Sequence, residues 1–289
     1  MKKLIITGGS GFIGNQLILK LSKEYRLLCL VRASSKQLDR PNIEYTVIDF
    51  MRPNLQDAFF KNVFAVIHLL SVKHSNDQDI WTVNVDFTRS LVNVAKRNGV
   101  LKFFYMSSET VLLPGSDRYS QSKARAEQEV RKYDHHLILR PTVVYGDGDS
   151  SNIGLLAQLI KYSRVVPVIG DGSQLLQPVC VKSITKCIAA GLSRDITGTH
   201  LIAGRDPITY LDIVKTIAKA YDKKILILHI PISLAYLITT LFGLLSWSFL
   251  QKSQIDNLGI DRTYSMKATG ELFGVGFTNP REGIRRVAK

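Results

Sequence analysis

The chain has 289 residues, of which 45% are hydrophobic and 21% charged, with 20 Gly and 9 Pro. That length suits one large domain or two closely joined ones, and the composition excludes collagen-like, low-complexity and wholly disordered chains. Cys29, Cys180 and Cys187 are too few and too scattered for a disulfide framework or a zinc cluster, and 38 Lys and Arg against 24 Asp and Glu leave a formal charge of +14 that points to an anionic partner.

The elements follow in chain order. Residues 3–7 are a short aliphatic run meeting glycines, which reads as a buried strand entering a tight turn. Phe12, Ile13, Leu17 and Leu21 then recur at helical spacing. Further strands are expected at 26–31, 44–48, 63–70, 101–106 and 136–140. Helices are expected at 81–98 and 119–132. Val83, Phe87, Leu91, Val94 and Ala95 share one face of the first, and Gly99 sits where a left-handed residue ends a helix. Continuous apolar strands alternating with helices imply a parallel sheet covered on both faces, and hence an α/β, Rossmann-like doubly wound fold. After about residue 145 the pattern loosens, with helices near 153–163, 182–192 and 210–221 and strands near 199–203 and 225–229. The expected division is a dinucleotide-binding domain over 1–149 plus about 178–204. A smaller C-terminal substrate lobe takes about 150–177 and 205–289.

Residues 225–250 hold 26 residues without Asp, Glu, Lys or Arg. Three placements stay open: a buried or groove-lining helix, a helix in the membrane interface, and a span. Pro231 and Gly243 interrupt the segment and weaken the last. The start, Met1-Lys2-Lys3-Leu4-Ile5-Ile6, imitates a signal peptide, but its apolar run stops at Gly8. The expected location is cytoplasmic, with the inner face of a membrane as an alternative.

Gly8, Gly11 and Gly14 leave the first strand and open a helix, the context that turns a weak glycine pattern into a dinucleotide site. Glycines let the backbone approach a pyrophosphate, and the helix N-terminus offers unpaired N–H groups. The second strand ends Val31-Arg32-Ala33-Ser34-Ser35-Lys36, with no acid to hold ribose hydroxyls. Arg32 and Lys36 suit a 2′-phosphate, so NADP is preferred over NAD.

Tyr119 and Lys123 stand four apart on one helix face. A phenol titrates near 10 and is a poor base at neutral pH, and lowering its pKa by ~3 units takes about 4 kcal/mol. A neighbouring ammonium is expected to supply part of that. Ser107 and Ser108 leave the fifth strand at the sheet edge where ligands bind, placed to hydrogen-bond a substrate oxygen.

Together these residues resemble the extended short-chain dehydrogenase/reductase family, also called the NAD-dependent epimerase/dehydratase family. The matching segments are Thr7-Gly8-x-x-Gly11-x-x-Gly14, Asp49, Val66-Ile67-His68-Leu69, Asn84-Val85, Ser107-Ser108 and Tyr119-x-x-x-Lys123. They continue with Leu139-Arg140-Pro141-Thr142-Val143-Val144-Tyr145-Gly146, Gln177-Pro178-Val179-Cys180-Val181 and Asn279-Pro280-Arg281-Glu282-Gly283-Ile284, and so cover nearly the whole chain. The resemblance implies Ser108, Tyr119 and Lys123 as catalytic residues. It implies a cofactor held by Gly8, Gly11, Phe12, Ile13, Gly14, Arg32, Lys36, Asp49, Phe50, Leu69, Leu70, Tyr119, Lys123, Pro141 and Val144, with no metal. Tyr119 would exchange a proton with a hydroxyl or carbonyl while hydride moves to or from the nicotinamide.

The family pattern is also departed from. Ser108 lies only 11 residues before Tyr119, resembling atypical members such as the NADPH-binding accessory subunit of respiratory complex I. Leu69-Leu70-Ser71 stands where Ala-Ala is usual. Thr110 replaces the Glu of a sugar dehydratase, which argues against dehydration. The leading expectation is an NAD(P)-dependent epimerase or reductase of a nucleotide sugar. Alternatives are a non-catalytic, membrane-associated NADPH-binding subunit and a reductase of an apolar steroid-like or flavonoid-like alcohol or ketone. A homodimer through the helices at 81–98 and 119–132 is a further expectation. No nucleic-acid motif is present, so no nucleic-acid partner is expected. The charge is left to phosphorylated ligands and to an acidic membrane surface.

Overall fold

The computed structural model describes residues 1–35, 37–73, 75–114, 117–149, 152–243 and 256–287. Strand β1 (Lys3–Thr7) passes through the glycine turn into α1 (Phe12–Leu21). Then come β2 (Arg26–Val31), β3 (Ile43–Val47), α2 (Asp57–Phe60) and β4 (Val63–His68). Helix α3 (Asp77–Trp81) continues through a π turn (Thr82–Asp86) into α4 (Phe87–Arg97), followed by β5 (Lys102–Met106). A 3₁₀ turn (Glu109–Leu112) precedes α5 (Arg118–Val130) and β6 (His136–Pro141). The chain goes on through β7 (Val144–Tyr145), α6 (Asn152–Tyr162), β8 (Val165–Ile169), β9 (Leu175–Leu176), β10 (Val179–Cys180) and α7 (Val181–Ser193). Next are β11 (Gly198–Ile202), β12 (Ile208–Thr209), α8 (Tyr210–Ala220), β13 (Leu226–Ile230) and α9 (Ile232–Gly243). Two short helices close it, α10 (Lys267–Phe273) and α11 (Pro280–Val287).

Seven strands form one parallel sheet in the order β11-β6-β5-β4-β1-β2-β3. This is the doubly wound arrangement expected from the sequence, with the order reversing between β1 and β4. Alternation along each strand fills both faces. Leu4 and Ile6 share a core with Leu17, Ile18 and Ile188, on the side of α1 and α7. Ile5 faces the other way, into a core with Phe87, Leu91 and Ala126 from α4 and α5. A third core gathers Ile153, Ile160, Val166, Val168, Ile213 and Ile217 from the C-terminal elements.

The expected helix at 81–98 begins earlier, at Asp77, because Asn76 caps it by accepting from Asp79 N. It also contains the π turn, where the buried Asn84 side chain is turned inward to bond Val72 at both its N–H and its C=O. The helix ends as expected, with Gly99 at φ +65°. The apolar segment at 225–250 is not one helix. Pro231 divides β13 from α9: without an N–H it cannot extend the strand's ladder, whereas just ahead of a helix's first turn no helical bond is lost. Among the described residues no helix is long and apolar enough to cross a membrane; residues 244–250 lie outside them.

Candidate active site

The site lies beyond the carboxyl ends of β1, β4, β5 and β6, where strand order reverses and a crevice must open. It is a cavity of about 1060 Å³. The glycine turn forms one wall. Gly8 has φ +71°, and a Cβ there would lie 2.7 Å from Leu70 N. A Cβ on Gly14 would lie 2.2 Å from Gly8 O, so the helix can start this close to the strand only without a side chain. Gly11 caps α1 with no side-chain hydrogen bond, leaving the first-turn N–H groups directed at the cavity end of the turn. The Ser10 hydroxyl donates to Ser35 Oγ at 3.2 Å, tying the turn to the exit of β2.

Tyr119 stands on the first turn of α5, capped by Asp117, whose Oδ1 accepts from Ser120 N at 2.8 Å. Its ring borders the cavity beside Ser71, Lys73, Ser108 and Thr142. The Ser71 hydroxyl hydrogen-bonds its phenol, but burial outweighs that bond and holds the phenol above its ordinary pKa. Lys123 lies beneath the cavity surface. It is 1% exposed, donates to Met106 O at 2.5 Å and lies 4.1 Å from the centre of the Tyr105 ring. Burial pushes its ammonium down to about 7, with Glu127 opposing the shift. Lys123 therefore ties the end of β5 to α5. Ser108 caps the 3₁₀ turn, accepting from Thr110 N at 3.2 Å and Thr110 Oγ1 at 3.0 Å.

A buried hydrogen-bond chain runs under the site. Thr88 Oγ1 donates to Asn84 O at 2.7 Å, so it accepts from His68 Nε2 at 2.8 Å. His68 Nδ1 then accepts from Thr7 Oγ1 at 2.6 Å. Burial lowers the imidazole pKa to about 3, with the Lys123 charge adding to the effect, so the ring is neutral. Asn84 Nδ2 donates to Ser122 Oγ at 2.9 Å, and that hydroxyl donates to Tyr119 O at 2.7 Å. One set of bonds thus connects β1, β4, α4 and the turn bearing Tyr119.

On the opposite side, Glu109 is 2% exposed and accepts from Arg262 Nη1 and Tyr264 OH, each at 3.2 Å. Burial raises its carboxyl pKa, and Arg262 and Tyr264 only partly offset this. The pair fastens the exit of β5 to the C-terminal segment. The remaining wall is largely apolar, with Leu155, Leu156 and Leu159 of α6, Pro167 and Ile169 of β8, Ile230 of β13 and Ala235 of α9, and it also carries the polar side chains of Asn152, Gln174, Tyr210 and Asn257.

Residues 4–201 match the model of the NAD dependent epimerase/dehydratase family. The chain belongs to that family. Among characterised relatives, it is 28% identical over 233 residues to the ceramide reductase of Caulobacter vibrioides, covering 78% of this chain and 73% of that one. It is 24% identical over 273 residues to the UDP-glucose 4-epimerase of Vibrio cholerae, covering 84% and 83%. Among solved structures, a UDP-N-acetylglucosamine 4-epimerase from Methanobrevibacter ruminantium M1, in complex with UDP-N-acetylmuramic acid, superposes with a TM-score of 0.80 at 18% identity. That match covers 99% of this chain and 97% of the other and shows a shared fold. Epimerase/dehydratase-type oxidoreductases use a nicotinamide cofactor, and this chain is an enzyme of that type.

The structure places the sequence-derived residues of this epimerase/dehydratase chain in three groups. Gly8, Gly11, Phe12, Ile13, Gly14, Leu69, Ser108, Tyr119, Pro141 and Val144 border the cavity. Arg32 is exposed at the end of β2, and Asp49 is exposed with its Oδ1 accepting from Met51 N at 2.9 Å. Phe50, Leu70 and Lys123 are not among the residues bordering the cavity. Phe50 sets its ring edge against Phe87, Leu70 packs on the same core, and Lys123 lies under Tyr105. Lys36 lies outside the described residues. Sequence reasoning missed Lys73, Arg262 and Tyr264, which carry no local motif. It also missed the roles of Thr7, His68 and Thr88, whose side chains meet only once the strands pair.

Proposed function

We propose that the chain catalyses NADP-linked hydride transfer at the hydroxyl or carbonyl carbon of an amphipathic molecule with a large apolar body. The observation that carries this is the division of the cavity. Its polar end holds Tyr119 and Ser108, and its other walls are mostly the aliphatic faces of α6, β8, β13 and α9, with uncharged polar groups at Asn152, Gln174, Tyr210 and Asn257. Among the described lining residues the cations are Lys73 and Arg262, and Arg262 is engaged by Glu109. A nucleoside diphosphate needs charge-assisted donors that this wall does not offer in number. The ceramide reductase relative is consistent with this reading. The nucleotide-sugar reading leads from the sequence and is favoured by the epimerase relatives; the lining reverses that order.

A nicotinamide dinucleotide fits the glycine cradle, because the uncapped α1 start and the side-chain-free approach at Gly8 and Gly14 leave room and donors for a pyrophosphate. Gly11, Phe12, Ile13 and Gly14 would hold the phosphates, Asp49 and the Phe50 backbone the adenine, and Lys123 the ribose. Leu69, Leu70, Pro141 and Val144 would face the nicotinamide half. Arg32, with Lys36, would bind the 2′-phosphate, since β2 ends at Val31 without an acid. When bound, the cofactor supplies or accepts the hydride. Ser108 donates to the substrate oxygen, and Tyr119 Oη gives it a proton as a carbonyl is reduced or takes one as an alcohol is oxidised. A phenol held protonated by burial is suited to the reductive direction.

The test is turnover by the purified chain offered long-chain ketones with NADPH or NADH, and UDP-sugars with NADP or NAD in the oxidised form. Consumption of NADPH with the ketones supports the proposal. Interconversion of UDP-sugars with no ketone reduction contradicts it.

A further inference from the structure

Strands β8 and β13 form a separate two-stranded parallel sheet with Leu226 opposite Val165, Leu228 opposite Pro167 and Ile230 opposite Ile169. Alternate residues of a strand share a face, so these six make one wholly apolar surface. The reverse face carries Val166 and Val168, each 0% exposed in the third core. The outer end of that surface is exposed, with Leu226 65% exposed, Leu228 53% and Val165 43%, and residues 244–255 lie outside the described residues. Its far end is the cavity wall, where Pro167, Ile169 and Ile230 stand. Ile232 lies beside Gly170 at that end, and Leu234 and Leu237 of α9 are exposed beyond it.

The amino-terminal foot of the strip is cationic. Leu226 N donates to Arg164 O at 2.7 Å, and Lys223 Nζ donates to Ile160 O at 3.2 Å. Lys161, Arg164, Lys223 and Lys224 therefore belong to that end, and the two segments that carry them include one acid, Asp222. Beside them Tyr162 is 81% exposed, an amphipathic ring at the junction of the apolar and charged zones.

The geometry points to a membrane-docking face: the strip seats on an acidic lipid surface, with aliphatic side chains among the acyl chains and the basic foot on the headgroups. Charge complementarity selects this occupant. An apolar patch with a basic edge gains from hydrocarbon and from anionic headgroups together. The strip of a second copy offers apolar area but no counter-charge for the basic foot. The strip then runs from the bilayer to the active-site cavity, giving an apolar substrate a route between them. That route rests on the proposed substrate class, but docking does not.

The full chain is to be co-sedimented with vesicles of phosphatidylcholine alone and of phosphatidylcholine with phosphatidylglycerol in equal parts. It is expected to pellet with the acidic vesicles and to be released by salt. Leu226→Asp with Leu228→Asp is expected to weaken binding by about tenfold or more while leaving the melting temperature and cofactor binding in place. Arg164→Glu with Lys224→Glu is expected to abolish the preference for acidic vesicles. Wild-type protein that stays in the supernatant, or a leucine variant that pellets like wild type, overturns the proposal. A concentration-dependent dimer lost in the leucine variant, without vesicle binding, assigns the strip to a second copy and also overturns it. Vesicle binding needs no turnover, so its failure leaves the substrate assignment standing, and failure of that assignment leaves docking testable.

Discussion

The parallel-sheet half and the C-terminal lobe build the same cavity by different means. In the first, position is set by hydrogen bonds and backbone contact. The glycine turn admits no Cβ at Gly14, and the Thr7–His68–Thr88–Asn84–Ser122 chain ties Tyr119 to three other elements. In the second, the walls are aliphatic side chains on two-stranded pairings and α6. Polar networks specify one geometry because a broken member leaves buried groups unpaired. Apolar walls accept substitutions of similar volume. The difference teaches that chemistry is fixed in one half and substrate choice is tunable in the other.

Four changes test that contrast, from the largest effect down. Tyr119→Phe should reduce turnover by about 10³-fold, roughly 4 kcal/mol at the transition state, with cofactor affinity held. Turnover near wild type would remove Tyr119 from the reaction. Asn84→Ala strips partners from Val72 and Ser122, and should cost about 3 kcal/mol of stability in denaturant unfolding. A loss no larger than that of Leu155→Met, on the apolar wall, would show that the network does not organise the site.

The third change concerns pH. His68 stays neutral in the fold until about pH 3, but protonates near 6.5 when unfolded. The unfolded chain therefore binds the extra proton below pH 6.5, and stability falls with pH across that window. Between pH 6.5 and 5, above the ordinary carboxylate range, the loss should be about 2 kcal/mol. His68→Asn should flatten it, and an unchanged slope would contradict the neutral assignment. Smallest is Arg32→Ala, which should weaken NADPH about tenfold, roughly 1.4 kcal/mol, and leave NADH unchanged in titration calorimetry. An equal loss for both would place Arg32 away from the 2′-phosphate.

The same contrast explains what the sequence disclosed. The strand-to-helix turn was legible because Gly8, Gly11 and Gly14 act locally, within one turn. The α4 core face was legible because Val83, Phe87, Leu91, Val94 and Ala95 follow helical periodicity, and all five are buried. The His68 chain was not, since its partners lie 61 and 20 residues away and meet only across paired elements. Arg262 reaches Glu109 from 153 residues away for the same reason. Segment 225–250 was legible in part: residues 225–229 read as a strand and Pro231 as an interruption, but hydropathy did not choose among the three placements left open for the segment. Lys123 had the right spacing on α5, but spacing does not show that the nearest acceptor to its ammonium is Met106 O.

In the proposed function the apolar lobe decides the substrate while Tyr119 decides the chemistry. Its most direct test is mass spectrometry of the small molecules retained by Tyr119→Phe purified under native conditions. That variant keeps the cavity but cannot complete proton transfer. The expected result is NADP together with an acyl-chain-bearing alcohol or ketone. Retention of a nucleotide sugar instead would contradict it.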